Sequence, residues 1–217
     1  MGKYIIQKPV TSELVVEKSR FFCHLQRVET EEEAQAFVKQ MKKQYWDASH
    51  NCSAYIVGQD GRVERSSDDG EPSGTAGSPM LEVLRRRELY DVAAVVTRYF
   101  GGIKLGAGGL TRTYGKAVVQ AVDEAGLAQR IPMGDYVFDW SMEDAGRVLN
   151  QLYRQTLFAV GQVEYDSSVH IHVTLPEDQK LEAEAWLTEN LSREVELTQA
   201  GSFFAEQPVD LDQKPAE

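Results

Sequence analysis

Apolar and polar positions alternate in short segments along the first third of the chain, and each segment predicts one element. The alternation in SELVVE and in RFFCHLQRV predicts two strands. Apolar residues at helical spacing in TEEEAQAFVKQMKKQYW predict a helix capped by Thr30. Two further strands, joined by an Asp-Gly turn, are predicted at NCSAYIVG and RVERSS.

The middle of the chain predicts two helices around a buried strand. SPMLEVLRRREL predicts a helix that starts at Ser78 and Pro79, with Thr75 or Ser78 as its cap. DVAAVVTRYF is typical of a buried strand. After the glycine-rich stretch GGIKLGAGG, we expect a helix that begins near Leu110.

The pattern restarts at Tyr136 in the order βαββαβ, which is that of a ferredoxin-like domain. The predicted elements are, in order, YVFDWSM, EDAGRVLNQLYRQT, AVGQVEYD, VHIHVTL, EDQKLEAEAWLTENL and REVELTQ. We therefore expect an α+β protein with domains at 1–131 and 132–217. The linker is predicted at about residues 129–135, and the tail EQPVDLDQKPAE is predicted to be frayed.

Charge is divided unevenly between these two parts. Residues 1–131 carry a net charge of +1, whereas residues 132–217 carry −12. Such asymmetry indicates two modules with different roles, and the acidic one suits a basic protein partner and would repel bare RNA. The sequence has no apolar run long enough to cross a bilayer and no signal peptide, so we expect a cytoplasmic protein without a membrane partner. The pattern leaves the oligomeric state open.

The stretch RYFGGIKLGAGGLTR favours binding of an anion. Glycines let a ligand approach the backbone, and a helix N-terminus supplies free N–H groups. It matches neither the Walker A pattern nor GxGxxG, which argues against nucleotide hydrolysis and hydride transfer. The alternative is that the glycines only close a tight turn. The predicted phosphate-binding residues are Arg98, Gly101, Gly102, Lys104, Gly106, Gly108, Gly109 and Arg112, with Ser73 and Thr75.

A second polar loop, SDDGEPSGTAG, concentrates carboxylates in a stretch that is too short and polar to be core. Asp68, Asp69 and Glu71 are the candidate catalytic residues, because such a cluster can hold a hard cation or supply an acid and a base for hydrolysis. The alternative is structural, with the two aspartates capping turns and Glu71 pairing with an arginine. Because no metal-ligand spacing is present, we predict no metal site and no cofactor.

The cysteines and histidines give weaker indications. His50 and Cys52 form a nucleophile pair only if the strand already starts at His50, and a structural histidine is favoured. Both cysteines of the chain are expected to be reduced and buried. His170 and His172 share one strand face, where an exposed polar surface is favoured over a zinc site.

Three motifs resemble the IMPACT family, and the resemblance extends from Lys18 to Tyr114. They are SHNCSAYIVG, SDDGEPSGTAGSP and VVTRYFGGIKLGAGGLTRTYG. The resemblance implies an N-terminal domain similar to the left-handed β-α-β fold shared by a small-subunit ribosomal protein and the fourth domain of elongation factor G. It also implies a C-terminal domain similar to the fifth domain of that factor. Both comparisons point toward RNA or the ribosome.

The resemblance also implies a role in translation. Eukaryotic members of the family dampen a stress-activated kinase that controls translation initiation, by competing for its activator. A dipeptidase role has been suggested for some bacterial members, but this chain lacks the HExxH motif of metalloproteases.

The two polar loops are expected to lie side by side around a common groove. One wall would hold Asp68, Asp69, Glu71, Ser73 and Thr75, and the other Arg98, Lys104 and Arg112; the alternative is an internal salt-bridge network. We predict a regulator of translation that binds RNA or the ribosome and is not an enzyme. Two alternatives stay open: a phosphoester or dipeptide hydrolase, and a protein-interaction regulator acting through the acidic domain.

Overall fold

A computed structural model describes residues 2–209, which form an α+β fold of two compact units. Of the described residues, the first unit contains 2–129 together with 207–209. The second unit is Arg130–Glu206. Among the described residues, no helix combines the length and the apolar character needed to cross a lipid bilayer.

The first unit is built on a five-stranded sheet in which each neighbouring pair of strands is antiparallel. Its elements are β1 Ile5–Ile6, β2 Val10–Val16, β3 Ser19–Arg27, α1 Glu31–Gln44, β4 His50–Val57, β5 Val63–Ser67, α2 Gly77–Arg86, β6 Val92–Tyr99 and α3 Gly106–Ala125. The strand order is β2-β3-β6-β4-β5. Helix α1 begins behind Thr30, whose side chain accepts a hydrogen bond from the N–H of Glu33 at 3.2 Å.

Helices cover both faces of this sheet because alternate strand residues are apolar on each side. The face toward α2 and α3 packs into the larger core, which includes Phe21, Cys23, Cys52, Val96, Met80, Leu84, Tyr114 and Val118. The face toward α1 packs into a smaller core around Ala34, Tyr55, Val57 and Ala93. The sheet is therefore the middle layer of three.

Strand register brings four connections to the same end of this sheet. Arg98, near the end of β6, lies opposite both Phe21 of β3 and His50 of β4. Ser67, at the end of β5, lies opposite Ser53. The connections that meet there are residues 17–18, 45–49, 68–76 and 100–105, and we call them the loop end.

The second unit follows the βαββαβ order that the sequence predicts. Its elements are β7 Leu127–Trp140, α4 Ala145–Leu152, β8 Ala159–Tyr165, β9 Val169–Pro176, a 3₁₀ turn Glu177–Gln179, α5 Lys180–Leu191 and β10 Thr198–Val209. Strand β9 pairs antiparallel with β7 and with β8, and β10 pairs with β7. The core joins both helices to the sheet through Phe138, Ile171, Val148 and Leu187.

Several predicted boundaries differ from the structure. Residues 129–135, predicted as a linker, belong to the continuous strand β7, whose first residues also pair with β1. The last strand begins at Thr198 and not at Arg193, because residues 193–197 run from α5 to the strand without joining the sheet. The predicted frayed tail is in β10 over residues 206–209, and its remainder lies outside the described residues.

Helix α3 also starts earlier than predicted. It begins at Gly106, whose φ of +70° is a conformation that favours glycine, and not near Leu110. Gly106, Gly108 and Gly109 are therefore helical residues and not loop residues. Because glycine has a low helix propensity, the sequence predicted a loop at these positions.

Candidate functional site

The loop end brings the two predicted polar loops of the first unit together. The segment 68–76 connects β5 to α2, and the segment 100–105 connects β6 to α3. Both loops contain residues with positive φ, including Asp69, Gly74 and Gly102. Some of their charged side chains make contacts within the fold, and others are exposed to solvent.

Asp68 is directed at the backbone of its own loop. Its Oδ1 accepts hydrogen bonds from the N–H groups of Ala76 and Gly77 at 3.0 and 2.8 Å, and its Oδ2 accepts one from Gly74 at 2.8 Å. Burial opposes the charge of Asp68, but these donors outweigh it and hold its pKa below the ordinary value. Asp68 thus supplies the cap of α2, whereas Ala76 at the N-cap position makes no side-chain bond.

Asp69 ties the same loop to its neighbours. Its Oδ1 accepts a hydrogen bond from the Lys42 ammonium at 2.5 Å, and its Oδ2 accepts one from the N–H of Asn51 at 2.7 Å. Burial opposes its charge, and these two partners reverse the effect, so that its pKa is lowered. Both oxygens of the carboxylate are therefore engaged within the fold.

Glu71 lies at the centre of a buried network. Its Oε1 accepts hydrogen bonds from Arg98 Nη1 at 2.6 Å and from the Tyr114 hydroxyl at 2.7 Å. The Glu71 and Arg98 side chains are only 3% and 6% exposed. The His50 ring brings Nε2 to 3.8 Å from Glu71 Oε2, and its Nδ1 lies 2.9 Å from the Asp69 carbonyl oxygen. Arg98 and Glu71 thus form an internal ion pair and not opposite walls of an open groove.

Cys52 faces this network from the sheet. It donates a hydrogen bond to the Asp68 carbonyl oxygen at 2.9 Å, and its Sγ lies 3.4 Å from the Tyr114 hydroxyl. Burial raises the pKa of Cys52 to about 12. A thiol with that pKa is almost fully protonated near neutral pH, which argues against a nucleophile activated by His50.

The two predicted hydroxyl ligands are also accounted for. The Thr75 hydroxyl donates to the Pro72 carbonyl oxygen at 2.6 Å, so it closes the loop and does not cap α2. Ser73 is exposed at the tip of the loop. Together with the three carboxylates, these contacts make 68–76 a loop whose polar groups are mostly satisfied internally.

The glycine-rich loop, residues 100–105, differs from the segment 68–76 in that most of its backbone borders open space. Gly101 is required by packing, since a Cβ there would lie 2.0 Å from the Lys18 carbonyl carbon. Its N–H donates to Ser19 Oγ at 3.1 Å. Gly102 and Gly106 have positive φ, and a Cβ at either would meet nothing within 4 Å. The backbone beyond Gly101 therefore borders open space.

The N-terminus of α3 has no side-chain cap. Leu105 at the N-cap position makes no side-chain hydrogen bond, and the first turn contains no acidic residue. Lys104 and Arg112 are exposed and make no side-chain hydrogen bond or ion pair with another described residue. Free N–H groups and two unpaired cations give this segment the electrostatics of an anion site.

Exposed apolar side chains flank the same segment. Phe100 and Ile103 are 49% and 40% exposed. The Arg98 guanidinium lies 5.5 Å from the centre of the Phe100 ring, which holds this aromatic side chain at the surface. An aromatic ring beside free cations suits a ligand with both phosphate and planar groups.

Sequence reasoning missed the residues that bind the network together. Tyr114 lies far along α3, and its hydroxyl reaches Glu71 because its helical turn faces the larger core. Thr97 donates to Asn51 at 2.7 Å, in a second buried contact that the prediction did not include. The only available signal was a tyrosine and a threonine at otherwise apolar, core-facing positions.

The histidines of the second unit form carboxylate pairs. His170 Nδ1 lies 2.6 Å from Asp139 and its Nε2 lies 3.1 Å from Asp166, and these contacts raise its pKa. His172 Nδ1 lies 3.1 Å from Asp135. Across residues 2–209, no group of three or more His, Cys, Asp or Glu side chains is arranged to hold a metal ion.

Comparison with known proteins identifies the family. The Impact N-terminal domain matches residues 17–122. The IMPACT family member YvyE of Bacillus subtilis is 42% identical over 213 residues, which cover 95% of each chain. A solved structure described as a hypothetical protein has 32% identity and a TM-score of 0.58, and the match covers 92% of this chain and 97% of that one.

A second solved structure is that of Yih1, described as a two-domain translational regulator. It is 29% identical, and the match covers 56% of this chain and 48% of that one. Its TM-score of 0.34 is too low to support a comparison of folds. The match to YvyE, in contrast, extends over nearly the whole of both proteins, and this chain belongs to the IMPACT family.

Proposed function

We propose that this protein regulates translation by binding RNA, free or in the ribosome, through phosphate groups held at the N-terminus of α3. The observation that carries the proposal is the uncapped start of α3 beside two unpaired cations, Lys104 and Arg112. Eukaryotic regulators of translation in the IMPACT family support the same role.

The division of charges at the loop end favours this segment over the acidic loop. Asp68, Asp69 and Glu71 already accept hydrogen bonds from the backbone, Lys42, Arg98 and Tyr114. Recruiting any of them to a ligand would break these bonds. Lys104 and Arg112 have no such competing partners, so they are available to neutralise phosphate.

Each predicted phosphate-binding residue has a distinct place in this proposal. Gly102, Gly106 and Gly108 leave the backbone accessible, and Lys104 and Arg112 supply charge. Gly101 shapes the turn by packing closely against Lys18, and Gly109 packs against Leu105 at the start of α3. Arg98 and Thr75 support the loops, and none of Arg98, Ser73 and Thr75 is placed at the ligand.

The fold comparison belongs to the same proposal. We infer that the first unit has the fold of the fourth domain of elongation factor G. The βαββαβ order, with β9 between β7 and β8 and with β10 paired to β7, supports a ferredoxin-like second unit. The acidic charge of that unit would repel RNA, which directs RNA to the first unit and leaves the second for a basic protein partner.

The test is a binding titration of the full chain against labelled tRNA and single-stranded RNA at two salt concentrations. The variant replaces Lys104 and Arg112 by Ala, and a charge-matched control replaces the exposed Lys8 and Lys43 by Ala. We expect about tenfold weaker binding for the first variant and a shallower salt dependence, by roughly 0.7 per lost phosphate contact. Equal loss in both variants, or no binding by the wild type, would refute the proposal.

A further inference from the structure

A groove lined by both apolar and polar side chains lies on the other face of the first sheet, between α1 and the strands β4 and β5. Its volume is about 350 Å³, which is within the range of small-molecule sites. We propose that this groove binds the phosphate group of a small phosphorylated metabolite of nucleotide size. The α3 segment lies in the opposite layer of the sheet, so this site is separate from the proposed RNA site.

The strand register explains how the floor of the groove forms. Ser53 of β4 lies opposite Ser67 of β5, and Tyr55 lies opposite Arg65. Directly opposed residues of an antiparallel pair point to the same face, which is here the face toward α1. Two hydroxyls, a phenol ring and a guanidinium are thus placed side by side.

One stripe of α1 forms the wall. Gln35, Val38, Lys39 and Lys42 are spaced three or four residues apart, so they lie on the same side of the helix. Together with Arg65, the wall and floor bring three cations to one groove. Lys42 is paired with Asp69 at 2.5 Å, and Arg65 lies 3.5 Å from Glu31.

Two groups in the groove have no competing partner. Lys39 is exposed and makes no ion pair with another described residue. Ser53 is only 5% exposed, yet its hydroxyl makes no hydrogen bond with another described residue and it lines the groove. The Ser53 hydroxyl oxygen is not fully shielded from solvent, so it opens to the groove, where a phosphate oxygen can accept its hydrogen bond.

The chemistry of the groove selects among anions. Arg65 can offer two N–H groups to one phosphate, and the serine hydroxyls add donors that a simple charged surface lacks. Val38 and the Tyr55 ring provide an apolar contact for the rest of the ligand. These features fit a phosphate monoester attached to a compact planar or apolar group better than they fit a free ion.

The experiment is a titration of the isotope-labelled full chain, followed by the chemical shifts of its backbone amides at constant ionic strength. The probes are adenosine monophosphate, inorganic phosphate, sulfate and adenosine. We expect saturable shifts in α1, β4 and β5 with the monophosphate, weaker binding of inorganic phosphate, and none of adenosine. Ser53→Ala should weaken binding about fivefold and Lys39→Ala about tenfold, while Lys43→Ala on the same helix should leave it unchanged.

The outcomes separate this site from the RNA site. Shifts confined to residues 102–112 would overturn this inference and leave the proposed function intact. If the wild type failed to bind RNA but showed the expected shifts in the groove, the proposed function would be overturned and this inference would be kept. Sulfate that binds as tightly as the monophosphate, or equal losses in the Lys39 and Lys43 variants, would show a general cationic surface and overturn the inference.

Discussion

Replacing Glu71 by Ala should destabilise the first unit by about 3–5 kcal/mol, the usual cost of removing one partner of a buried ion pair. The side chains of Glu71 and Arg98 are almost completely shielded from water, at 3% and 6% exposure. In the variant, the Arg98 guanidinium would keep the Ser19 hydroxyl, at 3.5 Å from Nη2, as its only hydrogen-bond partner among the described residues. Its Nε already has no hydrogen-bond partner among the described residues.

The magnitude has a second component. The Tyr114 hydroxyl donates its hydrogen bond to Glu71, and its loss adds the cost of a buried unsatisfied donor, about 1–3 kcal/mol. The two costs overlap because relaxation or water entry can relieve both. We therefore expect the total to stay near the upper end of the first range.

The assay is urea unfolding combined with hydrogen exchange, measured on peptides from β3 and β6 so that the first unit is followed by itself. A triple variant with Glu71→Leu, Arg98→Met and Tyr114→Phe removes the three side chains joined by hydrogen bonds at Glu71 and should recover at least about 2 kcal/mol relative to Glu71→Ala. A cost below about 1 kcal/mol for Glu71→Ala would refute the reasoning. If the triple variant were less stable than Glu71→Ala, the network would add net stability to the fold and not merely satisfy its own buried polar groups.

Four further predictions address other parts of the chain. Gly101→Ala should destabilise the first unit by at least about 1–3 kcal/mol in urea unfolding, because its Cβ would overlap the Lys18 backbone. The lowered pKa of Asp68 implies stability that is present above its unfolded pKa and lost as the pH falls through the folded one, so Asp68→Asn should flatten the acid limb of the stability curve. The raised pKa of His170 implies the opposite change of stability with pH: its contribution is full below the unfolded pKa and is lost as the pH rises through the folded pKa. His170→Gln should therefore remove this part of the pH dependence, as measured by hydrogen exchange in the second unit. Cys52, with a pKa of about 12, should resist iodoacetamide at pH 7 in the native state and react after unfolding, as mass spectrometry would show.

Much of the fold was predictable because local patterns agree with the final structure. The Thr30 cap, the Asp-Gly turn and the βαββαβ order all appear in the structure. The continuous strand β7 was not predictable, since its polar and proline-containing middle resembles a linker. From Met133 onward this strand pairs with β9, and it also pairs with β10; both are long-range contacts that a sequence pattern does not show.

The candidate site shows the same limit at the level of single side chains. Arg98 and Glu71 are separated by 27 residues, and Tyr114 and Glu71 by 43. Composition identified both charges but not their partners, because the pairing depends on the register between β4 and β6 and on the rotation of α3. The sequence analysis therefore placed all these charged residues around one groove. In the structure, Arg98 and Glu71 belong to a buried network, whereas Lys104 and Arg112 lie on an open surface.

That division explains why two loops of similar composition have different roles. In the segment 68–76, losing the partners of Glu71 leaves a buried group unsatisfied, and the contacts of Asp68 and Asp69 hold the loop backbone, so these residues are constrained by the fold. In the segment 100–105, Lys104 is free of such constraint, and Gly102 leaves space beside it. The internal network fixes the base of the loop through Arg98, while the exposed part stays accessible. An electrostatic binding site requires a rigid base and an accessible tip. The variants of Glu71 and Lys104 test these two parts separately. The Glu71 variant should change the stability of the first unit, and the Lys104 variant should change only the affinity for RNA.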